Sequence, residues 1–192
     1  MPPRGRDHRA ALEAAGCPEA SLDALAWYLD LLASWEGRVN LTGIVRSSGE
    51  RVDLLVRDPI AASPEVQDGP LLDLGSGNGS PGLVLAVLRS PIPTTLLEPR
   101  QKRWAFLREA ARAVGRPEVE ILKLRHDAYQ PVRLARTVTL RALALPLPEI
   151  EPLIEVGGRL LVFGGRPAAS AGFVSEGKRP LYRSTLWVFR RR

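Results

Sequence analysis

Leu22, Leu25, Leu29 and Leu32 recur at three- and four-residue intervals, and Trp35 closes the run. That spacing puts one apolar stripe on a helix starting near Ser21. Ser47-Ser48-Gly49-Glu50 has capping-box spacing, which predicts a second short helix ending before Pro59. Residues 1–18, ending at Cys17-Pro18, carry no comparable stripe and read as a frayed lead-in. Together these segments form an N-terminal helical cap over residues 1–66, ahead of a core at 67–192.

From Pro70 the pattern changes. Leu71-Leu72-Asp73-Leu74 is a short apolar run closed by glycines, as expected of a buried strand. Pro81 opens a helix that continues through residues 83–88. Strand patterns follow at residues 94–97, 119–124, 137–140, 158–163 and 184–189. Helices fall at 102–114 and within 147–154. Strand and helix in alternation imply an α/β fold, a mostly parallel sheet covered on both faces. Right-handed crossovers make it doubly wound, with its ligand site beyond the carboxyl ends of the strands.

Composition narrows the class. The 192 residues, 45% hydrophobic and 25% charged, suit one globular domain with a sizeable core. One cysteine and two histidines leave no disulfide and little for a metal site. No apolar run approaches the roughly 18 residues of a membrane span. The polar, basic first ten residues lack the apolar stretch of a secretory signal. A cytoplasmic, metal-free monomer with no membrane partner is expected. Charge is uneven: residues 100–141 carry eleven Lys and Arg against four Asp and Glu, and residues 178–192 carry six against none. An arginine-rich excess of this kind suits phosphate contacts and leaves a nucleic-acid partner open.

The chemistry centres on Gly75-Ser76-Gly77-Asn78-Gly79-Ser80-Pro81-Gly82. Glycines after a strand let the backbone turn sharply and approach a ligand closely. The helix that follows aims free N–H groups at the same place. Gly77-x-Gly79-x-x-Gly82 formally matches a dinucleotide fingerprint, so a nicotinamide oxidoreductase is one alternative. Against it, Asp73 would repel a pyrophosphate but welcome an ammonium, and Pro81 removes one N–H. Glu98 ends the second strand and has the position to accept bonds from ribose hydroxyls. Asp127, beyond the third strand, can accept from an adenine amino group. Three acids at successive strand ends match an adenosyl ligand with an amino-acid tail, the shape of S-adenosyl-L-methionine.

At the level of motifs, the chain resembles the bacterial RsmG (GidB) methyltransferases over about residues 20–165. The resemblance lies in Asn40-Leu41-Thr42, the glycine loop, Leu96-Leu97-Glu98, residues 102–108, Arg141-Ala142 and the strand entry at residues 157–161. It implies a Rossmann-like class I methyltransferase that methylates N7 of a guanine in 16S ribosomal RNA, with ribosomal RNA or the small ribosomal subunit as partner. By motif position it implies cofactor contacts from Asp73, Gly75, Ser76, Gly77, Gly79, Glu98, Pro99, Asp127, Ala128 and Arg141. Asn40, Lys102, Arg103 and Arg125 would face the RNA, and Arg141 and Lys102 would act at the reacting base. Guanine N7 carries a lone pair and no proton, so no general base is needed. Arg141 has the chemistry to bond guanine O6 or a flanking phosphate.

Other basic residues read more plainly. Arg108 and Arg112 suit a solvated helix face, Arg190-Arg191-Arg192 a phosphate-contacting or solubilising end, and His126 a loop position. The chain departs from the family pattern at Ser80 (commonly bulky and apolar), Asp58 (histidine), Arg136-Thr137 and Leu140 (Phe-Asp and serine) and Gly164 (lysine). A non-catalytic nucleic-acid or ribosome-binding module that keeps the fold is the other alternative.

Overall fold

The computed structural model describes residues 6–36, 38–41 and 47–192. Residues 1–5 of the lead-in and Thr42 of the Asn40-Leu41-Thr42 run lie outside the described residues. Seven strands form one sheet in the order β3-β2-β1-β4-β5-β7-β6. They are β1 (Leu71–Leu74), β2 (Thr94–Leu97), β3 (Glu120–Leu122), β4 (Ala135–Arg141), β5 (Ile154–Phe163), β6 (Phe173–Pro180) and β7 (Thr185–Arg191). β1 pairs in parallel with both β2 and β4, and the β2–β3 and β4–β5 pairs are parallel too. β7 alone runs antiparallel to its neighbours, β5 and β6. Strand order reverses between β1 and β4, so a crevice opens above their carboxyl ends.

All four residues of β1 are buried because both faces of the sheet are covered. On one face, Leu72 and Leu74 pack with Val138, Leu140 and Leu160 against Leu147 and Ile150 of the short helix α7 (Leu147–Ile150). On the other, Leu71 meets Leu85 of α5 (Gly82–Leu88), together with Leu161, Leu186 and Val188. The four leucines of the stripe on α2 (Glu19–Trp35) are buried in one cluster with Leu83 and Val84 of α5 and with Phe106 and Leu107 of α6 (Gln101–Ala113). The N-terminal helices and the sheet thus share a hydrophobic interior.

Three elements differ from expectation. The lead-in contains a helix, α1 (Arg6–Ala14). Its apolar face rests on Leu12 and small alanines, too little to give a stripe. Leu12 packs into the α2 cluster, and His8 to Asp30 at 2.9 Å and Arg9 to Glu19 and Asp23 tie the helix to α2. The predicted capping box is present at Ser47 and Glu50 and α3 (Ser48–Leu55) ends before Pro59 as expected; the addition is α4 (Arg57–Ala62), which follows Val56 and carries Pro59 in its first turn. That turn lacks intrahelical N–H partners, so proline costs nothing there. β6 is an edge strand whose charged and glycine positions blur the alternation, a usual protection for an edge. Among the described residues no helix is long and apolar enough to cross a membrane, and no three or more His, Cys, Asp or Glu side chains gather as a metal site.

Candidate cofactor-binding site

The glycine loop sits where strand order reverses. Gly75, Gly77 and Gly79 have φ of 72°, 54° and 95°, a region that L side chains enter with strain. The Ser76 N–H donates to the Leu97 carbonyl at 2.9 Å, fastening the loop to the end of β2. Glu98, almost fully buried, accepts from the Gly77 N–H at 2.9 Å and from the Arg100 N–H at 2.8 Å. Its carboxylate is therefore held in place by backbone on both sides. Above it opens a hollow of about 470 Å³. Gly75, Ser76, Gly77, Asn78, Ser80, Glu98, Pro99, Arg100 and Arg103 line it, with Arg141, Ala142 and Leu143 from the end of β4.

The cap supplies the remaining wall through Asn40, Leu41, Leu54 and Leu55. It also fixes the loop by hydrogen bonds. The Tyr28 hydroxyl donates to the Asn78 carbonyl at 2.8 Å, and burial raises that phenol's pKa well above its ordinary value. Asn78 donates to the Leu41 carbonyl at 3.0 Å and accepts from the Ser80 N–H at 3.0 Å. The Ser80 hydroxyl donates to the Leu55 carbonyl at 2.6 Å and accepts from Arg141 Nη1 at 2.8 Å. Arg141 Nη2 donates to the Leu54 carbonyl at 2.6 Å. Burial lowers the Arg141 pKa, and Asp58, Tyr28 and Asp73 oppose that shift.

Of the expected site residues, Gly75, Ser76, Gly77, Glu98, Pro99, Arg141, Asn40 and Arg103 come together around the hollow. The three acids do not. Asp73 lies beneath the loop: its Oδ1 accepts from Thr139 at 2.5 Å, and an added Cβ on Gly82 would meet its carboxyl group at 2.5 Å. Burial pushes Asp73 up to about 6, against the pull of Thr139, Ser76, the Gly82 amide and Arg141. On a strand whose side chains alternate between faces, Asp73 points to the α5 side rather than up into the crevice. Asp127 is exposed and paired with Arg125 at 3.2 Å, and the hydrogen bond from Arg125 holds its carboxyl below the ordinary value. Asp127, Ala128, Arg125 and Lys102 are not among the lining residues, because the 126–128 turn and the Lys102 side chain face outward. Gly79 also stays outside: its missing Cβ makes room for Leu107, Leu83 and Tyr28. His126 is a loop residue bonded to Glu149 at 2.7 Å.

The departures at Ser80 and Asp58 are internally satisfied. Ser80 exchanges apolar bulk for the two bonds just described. Asp58, buried where a histidine was expected, accepts from the Arg183 N–H at 3.1 Å and the Ser184 hydroxyl at 2.7 Å, tying α4 to the β6–β7 turn. Sequence patterns missed Tyr28, Asn78, Leu54 and Leu55 as parts of the site. Tyr28 follows the leucine stripe at helical spacing from Leu25, which was a signal for burial but not for a loop contact.

The hollow fits an adenosyl methyl donor. Its size lies in the usual range for small-molecule sites, roughly 300–1,000 Å³. A Cβ on Gly77 would meet only the Gly75 carbonyl and an Arg103 nitrogen, at 3.6 and 3.7 Å, so the backbone there is open to close approach. Glu98 provides a fixed acceptor beside it. A sheet with one reversed strand, a glycine loop after β1 and an acid after β2 is the architecture of a class I methyltransferase, whose cofactor is S-adenosyl-L-methionine. Solved structures share the fold. An RNA methyltransferase from Salinibacter ruber in complex with S-adenosyl-L-homocysteine matches 62% of this chain and 78% of its own, with a TM-score of 0.53 and 19% identity. TrmN from Thermus thermophilus matches 78% of this chain and 55% of its own, with a TM-score of 0.58 and 18% identity.

The model of the GidB family, described as rRNA small subunit methyltransferase G, matches residues 21–170, and the chain belongs to that family. The ribosomal RNA small subunit methyltransferase G of Alkalilimnicola ehrlichii is 36% identical over 78% of this chain and 69% of its own. That of Xanthomonas campestris pv. campestris is 37% identical over 90% and 79%.

Proposed function

We infer that this protein is an S-adenosyl-L-methionine-dependent methyltransferase of ribosomal RNA that methylates N7 of a guanine in 16S rRNA. The observation that carries this is the hollow itself: in a member of this family, the glycine loop, Glu98 and the cap leave an open space where the strand order reverses. When bound, the cofactor supplies a methyl group already activated on a sulfonium. The protein's work is then alignment of donor and acceptor. Gly75 and Gly77 allow the backbone to approach the donor, and Glu98 accepts from the ribose hydroxyls. Pro99 lies on the adenine side, while the 126–128 turn, with Ala128 exposed and Asp127 held by Arg125, stays outside the hollow and adds little to cofactor affinity.

Arg141 acts on position rather than on the base. Both of its terminal nitrogens already hold Ser80 and Leu54, so it sets the loop against the cap. Asn40 and Arg103 border the mouth, while Lys102 and Arg125 stand outside it to meet RNA phosphates. Because N7 has no proton to lose, transfer proceeds in line without a base. The substrate, free 16S rRNA or the small subunit, places the enzyme in the cytoplasm, where it acts as a monomer.

The test is methyl transfer from labelled cofactor to small subunits and to naked 16S rRNA from a strain lacking the gene, followed by mapping of the mark. One new N7-methylguanine in 16S rRNA is expected. No transfer to either substrate, with rRNA modification unchanged by deletion, would instead support a non-catalytic binding module.

A further inference from the structure

We propose that a shallow groove between Trp35 and Trp104 is a second RNA contact, a stacking seat for an unpaired base on the strand that carries the target nucleotide. This rests on the function inferred above and adds to it a site away from the cofactor hollow. The groove encloses about 460 Å³ and is bordered by both indoles, Ala105, Arg108, Glu109 and Arg112. Along α6, Trp104, Arg108 and Arg112 follow one another at four-residue spacing and form a single ridge. Ala105, with its small side chain, leaves the floor open.

Both rings are fixed. Trp35 Nε1–H donates to the Glu109 carboxylate at 3.2 Å, and its ring meets Phe106 edge-on at 5.7 Å. Trp104 Nε1–H donates to the Ile121 carbonyl at 3.0 Å. With both N–H groups used, the indoles offer only their faces, which suits stacking on any base rather than reading its edge. The Arg108 guanidinium covers one face of the Trp104 ring, 4.8 Å from its centre, so a base on that side stacks on the planar guanidinium rather than on the indole.

Charge selects the occupant. Arg108 and Arg112 form no ion pair among the described residues, whereas Glu109, the groove's acid, is occupied by Trp35. The same two arginines border a smaller hollow of about 130 Å³ with Pro117 and Ile121, next to the groove, where a phosphate would meet both. The helix also starts at the cofactor hollow, since Arg103 lines it. Arg108 lies five residues further on, about 7.5 Å along the axis at roughly 1.5 Å per residue. At about 100° per residue Arg108 also lies about 140° round the helix from Arg103, so a strand leaving the mouth wraps around the exposed side of α6 to reach the groove.

The experiment measures binding of a short oligo(rA) and of a blunt RNA duplex to the full chain, in parallel with calorimetric titration of S-adenosyl-L-homocysteine. Wild type is expected to prefer the single strand. Arg108→Glu and Trp104→Leu should each weaken oligo(rA) about tenfold and leave the cofactor titration unchanged, which also shows that the variants fold. Wild-type affinity in Arg108→Glu, an equal preference for duplex, or displacement of oligo(rA) by polyglutamate overturns the groove while leaving the hollow intact. Absence of cofactor binding in wild type would count against the function inferred above, independently of the RNA result.

Discussion

Asp73, one residue before the end of β1, and Glu98, just beyond the end of β2, carry the same charge and are almost equally buried, yet they stand on opposite sides of the glycine loop. Beneath the loop, Asp73 is enclosed by Gly82 and Thr139 with Oδ2 unpartnered, and its pKa rises. Above it, Glu98 takes two backbone N–H groups and borders the hollow. The difference shows that position near a strand end does not by itself bring an acid to the hollow. Which face the side chain leaves from, and which N–H groups meet it, decide whether it packs beneath the loop or borders the hollow.

The underside is the more brittle region. Gly82→Val places new carbon atoms against the Asp73 carboxyl group, and overpacking against a carboxyl held by Thr139 should cost about 3 kcal/mol in urea unfolding. A stable Gly82→Val protein would show that the two regions are less tightly joined than described. Asp73 supplies the next effect. The folded chain retains on Asp73 a proton that the unfolded chain releases near pH 4, so stability falls as pH rises from about 4 to about 6 and no further on this account. At about 1.4 kcal/mol per pH unit the loss is on the order of 3 kcal/mol. Asp73→Asn should flatten that part of the stability profile, and an unchanged slope would contradict the burial assigned to Asp73.

Arg141→Ala removes the bridge between loop and cap, leaving the Leu54 carbonyl without its donor and Ser80 with one partner fewer. About 2 kcal/mol of stability should be lost, with weaker binding of S-adenosyl-L-homocysteine because the loop is less fixed. Full affinity in this variant would show that the cap does not set the loop. The smallest effect belongs to the sheet's outer side. Asp127→Asn, at an exposed ion pair, should change cofactor affinity by less than about threefold. A loss as large as that from changing Glu98 would move Asp127 into the site.

What the sequence disclosed follows the same division. Local patterns placed β1 and β2 at their observed ends, the capping box at Ser47 and the loop at the switch point, because short apolar runs and glycines act through near neighbours. The site's upper wall was legible in Glu98, Gly77 and Arg141. Its lower and cap sides were not, since Tyr28 to Asn78, Ser80 to Leu55 and Asp58 to Ser184 are contacts between distant segments. Helix α1 and strand β6 escaped for a different reason. Helix α1 buries Leu12 with small alanines beside it, and β6 is a charged edge strand, so neither leaves a run of large apolar side chains to read.

The most direct test is calorimetric titration of S-adenosyl-L-homocysteine into wild type and Glu98→Gln. The amide keeps the shape but loses the charge and one acceptor. Binding by wild type with a loss of at least about tenfold in the variant is the expected result. Equal affinity in the two proteins, or no heat from wild type at millimolar ligand, would contradict the assignment of this hollow to the methyl donor.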